Sequence, residues 1–117
     1  GLEWITVSVY FKGHFGQYIK DVRINSANFP EKHISFIKQH YKKAKFFNFY
    51  EEEFIHVLKT ASSSLSLSTL NECMIQWFCQ KLGIKTKFLK SSELNVNGKR
   101  SEKLVNLINL VGGVEYI

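Results

Sequence analysis

From Glu3 to Phe11 apolar and polar positions alternate, with Ile5, Val7, Val9 and Phe11 on one face and Trp4, Thr6, Ser8 and Tyr10 on the other. Period two predicts a strand with its aliphatic face inward. Residues 12–16 supply two glycines for a turn, and Tyr18 to Ile24 alternates again, so the pair predicts an antiparallel hairpin. After a connector at 25–30 the period becomes helical. Asn28 or Phe29 is the expected cap, and Pro30 suits a first turn, where its missing N–H costs nothing. A helix over 31–43 carries Ile34, Ile37 and Tyr41 as its stripe, with Lys32, Lys38, Lys42 and Lys43 off it. A second, over 46–59, carries Phe46, Tyr50, Phe54, Val57 and Leu58, with Glu51, Glu52 and Glu53 in its first half, the favourable end for the helix dipole. A third takes Ser66 or Ser68 as N-cap, lines one side with Leu70, Met74, Trp77, Phe78 and Leu82, and ends at Gly83.

In the last third, 85–89 reads as a short strand and 90–101 as a polar strand-to-helix crossing. A helix over 101–111 follows, with Leu104, Leu107, Ile108 and Val111 inward, then Gly112-Gly113 and a last strand at 114–117. That is a β-loop-α-β unit, whose strands are parallel and whose ligands gather beyond the strands' carboxyl ends. The expected fold is therefore α/β in one domain over 1–117: an N-terminal β-hairpin, three helices, then the β-loop-α-β unit. The chain starts at Gly1 inside one strand-like run and stops at Ile117 inside another. That predicts a fragment with an incomplete sheet.

Composition narrows this only a little. With 117 residues and 44% hydrophobic content the chain is large enough for one core and not comfortably two. A net charge of +6 suits phosphorylated metabolites, nucleic acid or an anionic membrane surface. The lysines are spread along the chain, which counts against a dedicated nucleic-acid binder. Cys73 and Cys79 lie six apart in a helical pattern, a poor geometry for a bridge, and read as reduced, buried thiols in a cytosolic protein. No apolar stretch approaches the ~20 residues of a membrane span.

The crossing concentrates the chemistry. If a helix starts near Ser101, its free N–H groups face the same space as Lys99, Arg100 and the hydroxyls of Ser91 and Ser92, a ready site for phosphate or carboxylate. Arg100 can grip an anion with two parallel hydrogen bonds and Lys99 acts as a point charge. Glu93 is the adjacent acceptor for a hydroxyl or amine, or a general base. Equally compatible with the spacing, Ser101 caps the helix, Gly98 makes a turn, and both cations are solvated. Gly98-Lys-Arg-Ser101 is not a P-loop, because position 93 is Glu and Ser101 falls one residue late. His33 fits either a catalytic role or the edge of a core. Asp21, between Ile19 and Arg23, either pairs with a basic group or reaches a ligand. His33 and His40, seven apart with no third ligand in view, do not make a metal site, and no cofactor is implied.

Ser91-Ser-Glu-Leu-Asn-Val96, Gly98-Lys99, Ser101 and Leu104 resemble the WbqC-like protein family. So do Trp4-Ile-Thr-Val7 with Val9, Ile19-Lys-Asp-Val22 with Ile24, Lys32-His33, Gln39 with Tyr41-Lys-Lys-Ala44, and Leu82-Gly-Ile-Lys-Thr86, all in the right order. The family's opening His-Gln-Pro segment and closing Ser-Gly segment fall outside the chain. Ser8 stands where the family usually has Pro, and Gly112-Gly113 where Leu-Gly-Ala is more usual. The resemblance implies a bacterial cytoplasmic protein of surface-polysaccharide (O-antigen) biosynthesis. It further implies transfer of an acyl or aminoacyl group to an amino sugar carried on a nucleotide, with glycan-biosynthesis enzymes as partners. In that setting Glu93, Ser92 and His33 would be catalytic, and Lys99, Arg100, Ser101 and Ser91 would hold phosphate. The rivals are a non-catalytic module that binds a nucleotide or a glycan enzyme, and a basic nucleic-acid-binding domain.

Overall fold

Residues 22–25 are hydrogen-bonded along both edges. On one side Tyr10 N–H donates to Arg23 O (2.9 Å) and Asn25 N–H to Ser8 O (3.0 Å); on the other Ile24 N–H donates to Leu65 O (2.8 Å) and Leu67 N–H to Val22 O (3.2 Å). Ile24, between them, is 1% exposed. The computed structural model describes residues 2–117, whose contacts group into two units that divide between residues 85 and 86.

Around residues 22–25 the first unit packs three helices: α1 (Phe29–Tyr41), α2 (Phe47–Ser62) and α3 (Leu67–Lys81). α1 packs on α2 and α2 on α3, as short connections between helices favour. Ile24, Phe29, Ile34, Leu58, Ala61 and Leu70 form the core, with Val7, Phe54, Ile55, Leu65, Leu67, Cys73 and Met74 packed against it. Asn28 is the N-cap of α1 but makes no side-chain cap bond, and Pro30 falls in the first turn. Of the two serines expected at the start of α3, Ser66 is the cap, its hydroxyl accepting from Thr69 N–H at 3.3 Å. α3 ends where Gly83 adopts φ +71°. There Gly83 N–H donates to Gln80 O and Ile84 N–H to Cys79 O, the paired bonds of a Schellman cap. Both cysteines are free and half-buried.

A cluster on α2 and α3 extends the core outward. Trp77 meets Phe54, Phe78 and Tyr50 edge-on, at 5.7, 5.0 and 6.5 Å between centroids. Its indole N–H donates to Glu53 Oε1 (3.2 Å), and Lys81 Nζ lies 2.7 Å from the same oxygen. The hydrogen bond from Lys81 holds the Glu53 carboxyl below its usual range, opposed by slight desolvation and helped by Trp77.

The second unit holds α4 (Arg100–Leu110). Gly112 at φ +76° closes it with a second Schellman pair, Gly112 N–H to Asn109 O and Gly113 N–H to Ile108 O. Leu107 and Ile108 are half-buried, whereas Leu104 and Val111, expected inward, are exposed.

The α/β expectation is overturned. The described residues carry helices and only two isolated antiparallel bridges, Val9 with Ile24 and Arg23 with Ser66. The expected hairpin survives as the single Val9–Ile24 bridge, because residues 19–21 wind into a 3-10 turn and take no part in a ladder. Neither strand of the β-loop-α-β unit forms. Residues 84–89 and 114–117 are irregular, and Ile84, Phe88, Leu89, Val114, Tyr116 and Ile117 are exposed. Alternation sets which way side chains point; a strand also needs a neighbour to accept and donate its hydrogen bonds, and these two runs have none among the described residues.

Leu58→Ala, in the centre of the core, is expected to cost about 2–5 kcal/mol, read as a lower urea midpoint with unchanged slope. For Glu53 the folded-state pKa is the depressed one. Its contribution to stability is therefore complete above the unfolded carboxylate value near 4.5 and is lost as pH falls through the folded value. Glu53→Gln should flatten the acid limb of stability against pH, measured by urea unfolding on either side of that range.

Candidate functional site

The polar crossing begins with a 3-10 turn over Ser91–Glu93, fixed by Glu93 N–H to Lys90 O (3.0 Å) and Leu94 N–H to Ser91 O (3.3 Å). The chain then runs through Gly98 at φ +102° to Lys99, the N-cap of α4. A Cβ on Gly98 would lie 3.1 Å from Glu102 Cγ, 3.1 Å from Asn106 Nδ2 and 3.2 Å from Lys103 N. The loop thus lies directly on the first turn of α4, and Asn106 clamps it by donating to Asn97 O at 3.0 Å. Only glycine suits both that approach and that φ.

The helix starts one residue before Ser101. Ser101 therefore stands inside the first turn and is not the cap; Lys99 holds that position and has no acceptor on its side chain. The N-cap makes no side-chain bond to the N–H groups of the first turn. Those groups, the positive end of the dipole, Lys99 and Arg100 share one exposed place, an arrangement that favours an anion. Glu102 in the same turn already offers a negative charge to the dipole. Arg100 has φ +52°, a left-handed backbone uncommon for a residue with a side chain. No ion pair is made by Glu93, Lys99 or Arg100 among the described residues. Ser91, Ser92, Glu93, Lys99, Arg100 and Ser101 are all exposed. Lys99, Arg100 and Ser101 thus stand at the start of α4, whereas Ser91 and Ser92 lie earlier in the same unit, in their own 3-10 turn.

His33 and Asp21 belong to the first unit. The His33 ring sits edge-on to Phe29 at 5.3 Å, with Nε2 3.2 Å from Thr6 O, where the imidazole N–H donates. This pins the N-terminal segment along α1. His40 adds a second tie, with Nε2 3.2 Å from Glu3 Oε2, Nδ1 2.8 Å from Phe36 O and its ring stacked on Phe36 at 4.1 Å. Asp21 sits exposed at the end of its 3-10 turn and makes no ion pair among the described residues. No three His, Cys, Asp or Glu side chains gather as a metal site among them either.

Two features escaped the sequence reading. One is the His40–Glu3 pair, which depends on a fold-dependent approach across 37 positions. The other is an open cleft of about 300 Å³ lined by Ala27, Pro30, Glu31, Lys59, Ser62, Ser63 and Leu65. Its serines, Ser62 and Ser63, lie at the end of α2. Their hydroxyls are already spent, Ser62 donating to Lys59 O and Ser63 to Thr60 O.

Geometry of this kind defines a mainly helical chain with an exposed, basic helix start. The chain belongs to the WbqC-like protein family, which it matches over residues 1–117. It is 28% identical over 117 residues to the uncharacterized protein Rv1507c of Mycobacterium tuberculosis (strain ATCC 25618 / H37Rv), covering 100% of this chain and 50% of that protein. The chain thus spans half the length of this relative. No solved structure matches it. No helix among the described residues is long and apolar enough to cross a membrane.

Gly98→Ala should destabilise the second unit, because the methyl group meets Asn106, Glu102 and Lys103 and the φ is unfavourable. Faster hydrogen exchange of the α4 amides, with those of α2 and α3 unchanged, is the expected result.

Proposed function

We propose that the start of α4 binds the diphosphate of a nucleotide-linked sugar, and that the protein serves bacterial surface-polysaccharide assembly as an acyl or aminoacyl transferase acting on the amino sugar. The observation that carries this reading is the uncapped first turn of α4 beside Lys99 and Arg100. An anion there accepts from backbone N–H groups, from the fork of Arg100 and from Lys99 together. Membership of the WbqC-like family supports the setting. In this reading Ser91 and Ser92 offer hydroxyls to the ligand. Glu93, exposed at the end of its 3-10 turn, takes the proton from the sugar's amine as that amine attacks the carbonyl of an activated acyl donor; the new amide C–N bond forms as the bond from the acyl carbon to the donor's leaving group breaks, and the leaving group departs with the proton. His33, tied to Thr6, positions the N-terminal segment; Asp21 has no assigned part.

A second reading, a non-catalytic module that binds the same nucleotide, is favoured by the exposure of all six crossing residues, since catalytic groups normally sit in a cleft that excludes water. The two readings separate on Glu93. Melting in the presence of nucleotide sugars should rise by mass action, about 2.7 kcal/mol of stabilisation at a hundredfold excess over Kd. Lys99→Ala/Arg100→Ala is expected to abolish that rise. Glu93→Gln should keep the rise and lose turnover in the transferase; turnover that survives Glu93→Gln removes Glu93 from the chemistry.

A further inference from the structure

Both the stripe of α1 and the stripe of α2 run past the packed region at the corner where these helices join. Tyr41, at the end of α1, is 57% exposed; Phe46, the N-cap of α2, is 62% exposed; Phe49, in its first turn, is 78% exposed. Between them stand Lys42, Lys43 and Lys45, none of which makes an ion pair among the described residues. From Lys38 to Phe49 every residue except Phe47 is exposed, so the corner projects. It is held in shape by backbone bonds: Lys42 N–H to Lys38 O, Ala44 N–H to Tyr41 O and Phe47 N–H to Ala44 O.

We propose that this corner docks on an anionic lipid surface, with Tyr41, Phe46 and Phe49 entering the interfacial layer and Lys42, Lys43 and Lys45 pairing with lipid phosphates. Aromatic rings set among lysines are the side chains that suit a bilayer interface, where one end stays wet and the other enters the acyl boundary. Each lysine near such a surface strengthens binding roughly fivefold, and the attraction fades within a Debye length. The positive end of α2 lies at the same corner, and its N-cap is a phenylalanine, which leaves its first turn without a side-chain acceptor. Lys42 also complements the negative end of α1, an ordinary structural role, but that role accounts for neither Phe46 nor Phe49. Lys45 Nζ stands 5.2 Å from the Phe46 ring centroid, so charge and ring form one unit. The acids nearby are Glu3, 3.2 Å from His40 Nε2, Glu51, paired with Lys38 at 3.1 Å, and Glu52, one helical turn beyond Phe49.

The shape favours a lipid surface over single-stranded nucleic acid. A strand needs a basic groove to follow with bases stacked along it. Here the hollow beside the corner, between α1 and α2 at Ile34, Ile37, Phe47 and Phe54, measures about 10 Å³, too small for a base.

Co-sedimentation of the full chain with vesicles tests the proposal. The chain is expected to pellet with mixed phosphatidylglycerol–phosphatidylcholine vesicles and not with phosphatidylcholine alone. Lys43→Glu/Lys45→Glu should lower the bound fraction by more than tenfold, whereas the same charge change at Lys12→Glu/Lys85→Glu should lower it far less. Phe46→Ser/Phe49→Ser should also release the protein, with the melting temperature of each variant establishing that it folds. Equal loss from both charge pairs, binding that survives Phe46→Ser/Phe49→Ser, or no pelleting of the parent chain would overturn it. So would an outcome in which these substitutions abolish binding to single-stranded RNA, or split a dimer in sedimentation velocity, while vesicle binding is absent.

Discussion

The first unit depends on residues 22–25 being paired on both edges. A single extended segment bonded to residues 8–10 on one side and 65–67 on the other joins three distant parts of the chain, and its Ile24 fills the place where α1, α2 and α3 meet. Each such bond is worth only about 1 kcal/mol net, but leaving any of these groups buried and unpaired would cost more. Leu65, at φ +55°, is the strained point of this arrangement: its carbonyl must face Ile24 while its side chain packs on the core. Glycine would take the φ more easily and would lose the packing.

The helices were legible because each needs only local bonds and one apolar stripe. α1, α2, α3 and α4 lie within a few residues of their expected spans, and the glycines that end α3 and α4 adopt the left-handed conformation their positions suggest. The sheet was misread for the converse reason. Ile84–Leu89 and Val114–Ile117 carry β-branched and aromatic residues, yet a strand is a property of two segments, and composition in one cannot supply the other. Tyr41 and Phe46 were misread at the opposite scale. Their spacing puts them on the buried stripes, but a stripe is buried only as far as the neighbouring helix extends, and both lie at helix ends.

For the candidate site, residue types and order carried most of the information. Gly98, Lys99, Arg100 and Ser101 meet at a helix start, as their chemistry suggested, but the helix takes Lys99 as its N-cap and moves Ser101 inside. That one-residue shift changes the physics. A serine cap would satisfy an orphan N–H, whereas a lysine cap leaves it open and adds a positive charge. The ties from α1 to the N-terminal segment, through His33 to Thr6 and His40 to Glu3, depend on the fold and could not be read from spacing.

Anion binding at the open start of α4, as proposed, has a direct test. Amide proton and nitrogen shifts of the labelled protein, followed through a titration with uridine diphosphate, address it residue by residue. An anion site there predicts saturable shifts concentrated at Gly98 to Lys103, with the Arg100 side-chain resonance moving in step. Shifts that gather instead at the cleft of Glu31, Lys59 and Ser62, or none that saturate, would contradict it.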